Sequence, residues 1–390
     1  VTVAVLLLAV NLRPVVNAVG AVIPELREST GLPASTTGLL LSLPTLSFAF
    51  LGLAAPALAA RIGSHRTVVA CLVALIVGQL VRVLVPGTAA LFLGSIVGLA
   101  GIAVGNVLLP GLVRLHFPDR IPVMTAAYTT LLTIGGAAAA GITLPIERGL
   151  GADWRTGLGM WAGVAVIALI PWLLLIRNSK AGPAPAAGRR LPLSALARTA
   201  VAWSLALYFG CQSMIAYVVF GWLAQILTDA GRTDTAAALQ VAIAIAVGIP
   251  LAAFVPPLLG RARRPGILVV ALSACYFAAF IGLIIAPAGP VLIFSVLIGI
   301  GTGAFPLALT LIALRARTSL ATTSLSAFTQ CTGYLIASVG PVGFGVLFDL
   351  TGGWTVPLIA LCGVVLVQAV AGCLAVRPRY VEDELPAAVR

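Results

Sequence analysis

Apolar residues run through this chain in long blocks, and polar and charged residues collect in the short gaps between them. A bilayer core about 30 Å thick is crossed by about 20 apolar residues of α-helix. Twelve blocks of that order stand near 3–24, 35–60, 67–85, 88–113, 122–146, 154–176, 200–227, 235–259, 266–286, 290–314, 322–347 and 354–376, each bounded by charge, glycine or proline. The blocks are continuously apolar rather than alternating. The pattern therefore predicts an all-α protein with twelve membrane-spanning helices and excludes a transmembrane β-barrel.

Composition agrees with that reading. Of 390 residues, 61% are hydrophobic and only 9% are charged, whereas a soluble domain carries about a quarter of its residues as charges. A chain this poor in charge is an integral membrane protein. Its net charge of +12 does not point to nucleic acid, because the basic residues gather in alternate gaps. One set of gaps holds Arg61, Arg66, Arg114, Arg120, the run from Arg177 to Arg198 with Lys180, Arg261, Arg263, Arg264, Arg315, Arg317 and the terminal Arg377, Arg379 and Arg390, which is 17 of the 23 basic residues. The opposite set holds Arg27, Arg148, Arg155 and Arg232 and most of the acids. This bias predicts that both termini lie in the cytoplasm. Cys71, Cys211, Cys275, Cys331, Cys362 and Cys373 all fall in apolar blocks without metal-ligand spacing and read as small helix residues. No signal peptide with a cleavage site is recognised. The chain starts inside a block without methionine, which predicts a short native segment before Val1.

A shift of 200 residues superimposes the chain on itself. Gly31 falls on Gly231, Pro56 on Pro256, Arg61 on Arg261, Ser95 on Ser295, Gly101 on Gly301, Thr129 on Thr329, Trp154 on Trp354 and Gly163 on Gly363. Two six-helix bundles in the same orientation are expected, over 1–176 and 200–376. A linker at 177–199, rich in Pro, Gly, Ala and Arg, joins them, and 377–390 forms a cytoplasmic tail.

Parallel six-helix halves of this kind resemble the major facilitator transporters. That resemblance implies two pseudo-symmetric bundles, a substrate site between them at mid-membrane, and alternating access. PALAARIGSHR (56–66) matches the family's loop after the second span at Arg61, Gly63 and Arg66. It departs at Ala60, where the family has an acid, and at Pro56, where the family has glycine. NLRP (11–14) and GNVLLPGLVRLHFPDRIPVMTAAYTT (105–130) resemble the branch of cyanate and 2-nitroimidazole transporters. The branch implies a bacterial cytoplasmic (inner) membrane carrier for small anions or small nitrogen-rich compounds.

Arg13 is the residue on which a site reading turns. It stands about ten residues from either end of its block, roughly 15 Å at 1.5 Å per residue, too deep to reach water by snorkelling. A cation at that depth costs at least about 2.5–3.5 kcal/mol unless it meets a watery cavity or a partner. No Asp or Glu falls in the middle of any block. A lone positive charge favours an anionic or electronegative substrate, and the planar fork of guanidinium donors suits a small delocalised group. The competing role is bonding to carbonyls and Asn side chains to lock spans together. Pro14 removes the amide that the Val10 carbonyl needs and predicts a bend. Asn17 lies one turn on.

Further substrate-contact candidates are Gln212, Ser213 and Tyr217, where Ser213 and Tyr217 are the repeat partners of Arg13 and Asn17. Gln330 and Tyr334 stand in the eleventh block, and Phe305 beside Pro306 in the tenth is a candidate apolar wall. The branch resemblance implies that Asn106 and Tyr128 line the cavity. Glu25 and Asn11 are candidates for coupling or gating. Arg82 is expected to snorkel to the outer headgroups, and His65 and His116 read as solvated loop residues.

Together these readings predict a secondary carrier for a small anionic or nitrogen-rich polar solute. The alternatives are efflux of amphipathic drugs and a non-transporting membrane sensor. An enzyme is not expected, since no nucleophile–base pair or metal-ligand set appears in the blocks. No cofactor or metal is expected. The expected partners are a small-molecule substrate and the lipid bilayer, with the protein monomeric.

Overall fold

The structure, a computed structural model, describes residues 1–31, 34–150, 153–178 and 191–385. Among the described residues twelve helical stretches are long and apolar enough to cross a membrane, as expected, and there is no strand. The first crossing is made by α1 (Thr2–Asn11) and α2 (Pro14–Thr30). The second runs through α3 (Ala34–Phe50), a 3-10 turn at Leu51–Ala54 and α4 (Ala55–Ile62). Then come α5 (Ser64–Leu84), α6 (Thr88–His116), α7 (Ile121–Gly149) and α8 (Trp154–Asn178). After the short α9 (Leu193–Leu196) follow α10 (Ala200–Asp229), α11 (Asp234–Arg261) and α12 (Pro265–Ile285). The tenth crossing is split into α13 (Val291–Gly301) and α14 (Ala304–Leu314), and α15 (Ser319–Thr351) and α16 (Thr355–Ala375) close the set.

The chain divides into two compact units. Unit 1 comprises Val1–Asp119, Ala127–Leu191 and Thr318–Ala327; unit 2 comprises Arg120–Ala126, Pro192–Arg317 and Phe328–Arg390.

In unit 1 small residues set the packing. A Cβ at Gly78 would overlap the Gly98 amide, and one at Gly94 would lie 2.7 Å from the Arg82 backbone nitrogen. Helices α5 and α6 therefore touch backbone to backbone, the contact that glycine permits in a membrane bundle. Trp172 of α8 is fully buried and donates from Nε1 to the Ala4 carbonyl of α1 at 3.0 Å. An apolar cluster lies towards the ends of the helices that carry few arginines, around Val22, Leu26, Leu158 and Trp161.

Unit 2 repeats the same local solutions. Trp154 Nε1 donates to Ser29 Oγ at 2.7 Å, and its repeat partner Trp354 donates to Asp229 Oδ2 at 2.8 Å. Ser29 and Asp229 are themselves 200 residues apart. Gly31 and Gly231 both end their helices at positive φ, 66° and 88°, where a Cβ is strained. The repeat thus preserves hydrogen-bond geometry as well as residue identity.

The tail folds back on unit 2. Asp383 makes a bidentate pair with Arg317 at 2.6 and 3.0 Å, and Glu382 Oε1 accepts from the Arg317 amide at 2.7 Å. Glu384 Oε2 accepts from the Val201 amide at 3.0 Å, which places a carboxylate on the N-terminus of α10.

Candidate functional site

Arg13 sits in a two-residue break. Helix α1 ends at Asn11, α2 begins at Pro14, and Leu12 and Arg13 form the turn between them. Pro14 has no N–H, so the i→i−4 ladder stops there. The Arg13 carbonyl restarts it by accepting from the amides of Val16 and Asn17, both at 3.1 Å. The Arg13 side chain is half-buried. Across from it is Gly136 of α7, where a Cβ would lie 2.8 Å from Asn17 Nδ2 and 3.1 Å from Arg13 Cβ. Asn17 Nδ2 donates to the Gly136 carbonyl at 3.1 Å. One glycine thus holds both residues, and the Asn17 donor is engaged by the backbone.

The other unit 1 candidates separate into two kinds. Asn106 is half-buried on α6, next to Gly105, whose added Cβ would lie 3.1 Å from Leu12 Cδ2. Tyr128 on α7 is fully buried. Asn11 is also buried, and its Nδ2 donates to the Leu7 carbonyl at 2.8 Å and to the Val164 carbonyl at 3.4 Å, an attachment of α1 to α8. The side chain of Glu25 lies outside the described residues.

In unit 2 two of the sequence candidates, Phe305 and Tyr334, meet through a residue that the sequence did not single out. Phe209 of α10 is fully buried and packs against Phe305 at 6.0 Å and edge-on against Tyr334 at 5.2 Å. Gln212 and Ser213 are buried on the same helix, with Ser213 Oγ 3.5 Å from Gln212 Oε1. Gln330 is buried on α15, and Tyr217 is half-buried on α10. Among the described residues no group of three or more His, Cys, Asp or Glu side chains is arranged to hold a metal ion.

The sequence profile of the Major Facilitator Superfamily matches residues 5–341. The chain belongs to that superfamily. It is 35% identical over 379 residues to the transporter YycB of Bacillus subtilis (strain 168), covering 97% of this chain and 93% of that protein. It is 33% identical to the 2-nitroimidazole transporter of Escherichia coli (strain K12), covering 97% and 95%. It is 27% identical to the cyanate transport protein CynX of the same strain, covering 93% and 94%. The crystal structure of the superfamily transporter FucP in the outward conformation shares the fold, with a TM-score of 0.76 at 14% identity over 95% of this chain and 98% of that one. This superfamily member is a multi-pass membrane transporter of a small solute.

Two features depart from what the sequence suggested. Arg82 does not snorkel. It is 2% exposed, and its Nη2 donates to Gln79 Oε1 one turn earlier while Nη1 reaches the Val15 carbonyl at 3.5 Å. Hydropathy gives a helix its length but not its rotation. The glycine contacts of α5 with α6 decide which side of α5 faces the bundle, and Arg82 is on that side. His65 and His116 are not solvated loop residues. Their rings stack at 5.0 Å with the Nε2 atoms 2.8 Å apart, beside Trp172 at 5.5 Å. The pair bridges α5 and α6 at their arginine-rich ends. It is formed by the only two histidines in the sequence, and no spacing between them, 51 residues apart, signalled the contact.

Proposed function

We propose that this transporter is a secondary carrier of the bacterial cytoplasmic membrane for a small anionic or nitrogen-rich polar solute, working by alternating access. The observation that carries the reading is Arg13, a guanidinium set in the unwound turn of the first crossing and backed by a glycine. A break of this kind brings peptide groups and a charged side chain to the same point, at a depth where a charge is otherwise costly. The names of the two Escherichia coli relatives, for 2-nitroimidazole and for cyanate, support a compact electron-rich solute. Arg13 is the anion partner in this reading. Asn106, half-buried in the same unit, adds to the hydrogen bonding of the solute.

The test is uptake of labelled cyanate and 2-nitroimidazole into proteoliposomes. Arg13→Ala inserts and folds but loses uptake, and Arg13→Lys restores little, since an ammonium lacks the planar fork. Unchanged uptake by Arg13→Ala refutes the assignment.

A further inference from the structure

Unit 1 holds a second guanidinium, that of Arg82, which is fully buried and has few acceptors around it among the described residues. Arg82 carries five N–H groups, and among the described residues it meets the Gln79 amide oxygen and, at 3.5 Å, the Val15 carbonyl. Among the described residues no carboxylate reaches it. Among the described residues Arg82 Nε and Gln79 Nε2 have no hydrogen-bond partner, and neither has the hydroxyl of Ser95, itself 3% exposed. The three unmatched groups are all able to donate. What is missing is therefore an acceptor, and for a buried unpaired cation an acceptor with negative charge.

Space for one is present. Arg82 and Ser95 line a partly enclosed cavity of about 40 Å³, whose other walls include Val15, Val19, Pro44 and Leu99. A single water needs about 10–15 Å³ of such volume, so the cavity admits a halide or a linear anion of about three heavy atoms.

The internal repeat shows that the fold does not need a cation here. The 200-residue partners of Arg82 and Gly94 are Gly282 and Phe294. In unit 2 the Phe294 ring fills the space beside Gly282, so that a Cβ there would overlap it. The same crossing is packed in one half by an apolar ring and in the other by a charge beside a void. Packing alone would favour the ring.

We propose that Arg82, with Ser95, binds a small monovalent anion inside unit 1. The site is separate from Arg13, which does not line the cavity, and it does not rest on the transport reading. Pro44, Val15 and Val19 supply an apolar wall that excludes larger or multiply hydrated anions.

The experiment uses the full chain in lipid nanodiscs, with thermal unfolding followed against sodium cyanate, thiocyanate and chloride at constant ionic strength, gluconate making up the balance. The Arg13→Gln variant, which lacks the other guanidinium, retains a saturable rise in unfolding temperature. Adding Ser95→Val, which removes a donor and fills part of the cavity, weakens the apparent affinity about tenfold, the worth of one charge-assisted hydrogen bond. Arg82→Gln in the same background abolishes the rise. Absence of a saturable rise in Arg13→Gln overturns the proposal and leaves a cavity that holds water. An affinity unmoved by Ser95→Val overturns it too, and that arm decides alone should Arg82→Gln fail to fold. A wild type that titrates like Arg13→Gln, with loss on Ser95→Val, keeps this site and removes Arg13 as an anion partner.

Discussion

Gly136→Ala tests the geometry around Arg13 with a single methyl group. The new Cβ would stand 2.8 Å from Asn17 Nδ2, 3.1 Å from Arg13 Cβ and 3.5 Å from Arg13 Cγ. The Asn17 amide is the end of a flexible side chain and swings away, giving up its 3.1 Å bond to the Gly136 carbonyl. That bond is worth about 1 kcal/mol net. Arg13 Cβ is fixed to the backbone turn, so the contact at 3.1 Å is relieved only by parting α7 from the break. Overpacking of this kind costs about 1–3 kcal/mol. Against it stands the helix-propensity gain of alanine over glycine, about 1 kcal/mol. The expected net loss is about 1–3 kcal/mol, with uptake falling further than stability because the guanidinium itself is displaced. Gly141→Ala, on the same helix with no neighbouring atom within 4 Å, is the control and is neutral or slightly stabilising. Unfolding in detergent reads the first effect, and cyanate counterflow in proteoliposomes reads the second. The double variant Gly136→Ala with Asn17→Ala loses about 1 kcal/mol less than the sum of the singles, since the two side chains compete for one space. A Gly136→Ala protein as stable and active as Gly141→Ala would refute the placement of α7 against the break.

The histidine pair is checked by a double-mutant cycle. His65→Ala and His116→Ala each cost about 1 kcal/mol for the lost N–H···N bond, and the double variant costs little more than either; additive losses would mean that the two rings do not bond. The folded-back tail is checked at Glu384. Glu384→Gln removes a charge from the N-terminus of α10 and costs about 0.3–1 kcal/mol at low salt. The loss shrinks at about 1 M salt, where the Debye length is about 3 Å. A loss indifferent to salt would assign Glu384 a purely geometric role.

The helix break that carries Arg13 was legible beforehand for a local reason. Arg13 followed by Pro14 announces both a charge and a missing amide, and the two-residue break is what a missing amide produces. Phe305 and Tyr334 were also singled out, and in unit 2 they do come together. Phe209, the side chain that joins them, was not legible, because one phenylalanine in an apolar helix looks like any other. Asn17 was read as a candidate solute contact and Asn11 as a candidate for coupling or gating. The carbonyls to which their amides donate, on α7 and α8, were not legible, since those partners lie 119 and 153 residues away in the chain.

The sequence by itself determined that the chain spans a membrane twelve times, that it is built from two related halves, and where its first helix breaks. Each of these is a property of consecutive residues or of a fixed register: apolar length against bilayer thickness, a 200-residue match, a proline without an amide. Only the tertiary structure decided where side chains of equal hydropathy point. It buried Arg82 instead of floating it to the headgroups, and it brought His65 and His116 into contact across 51 residues. The reason is rotational. In lipid a helix can turn about its axis with little change in hydrophobic burial, so its facing is set by close contacts such as Gly78 on Gly98. Those contacts exist only once the neighbouring helix has packed.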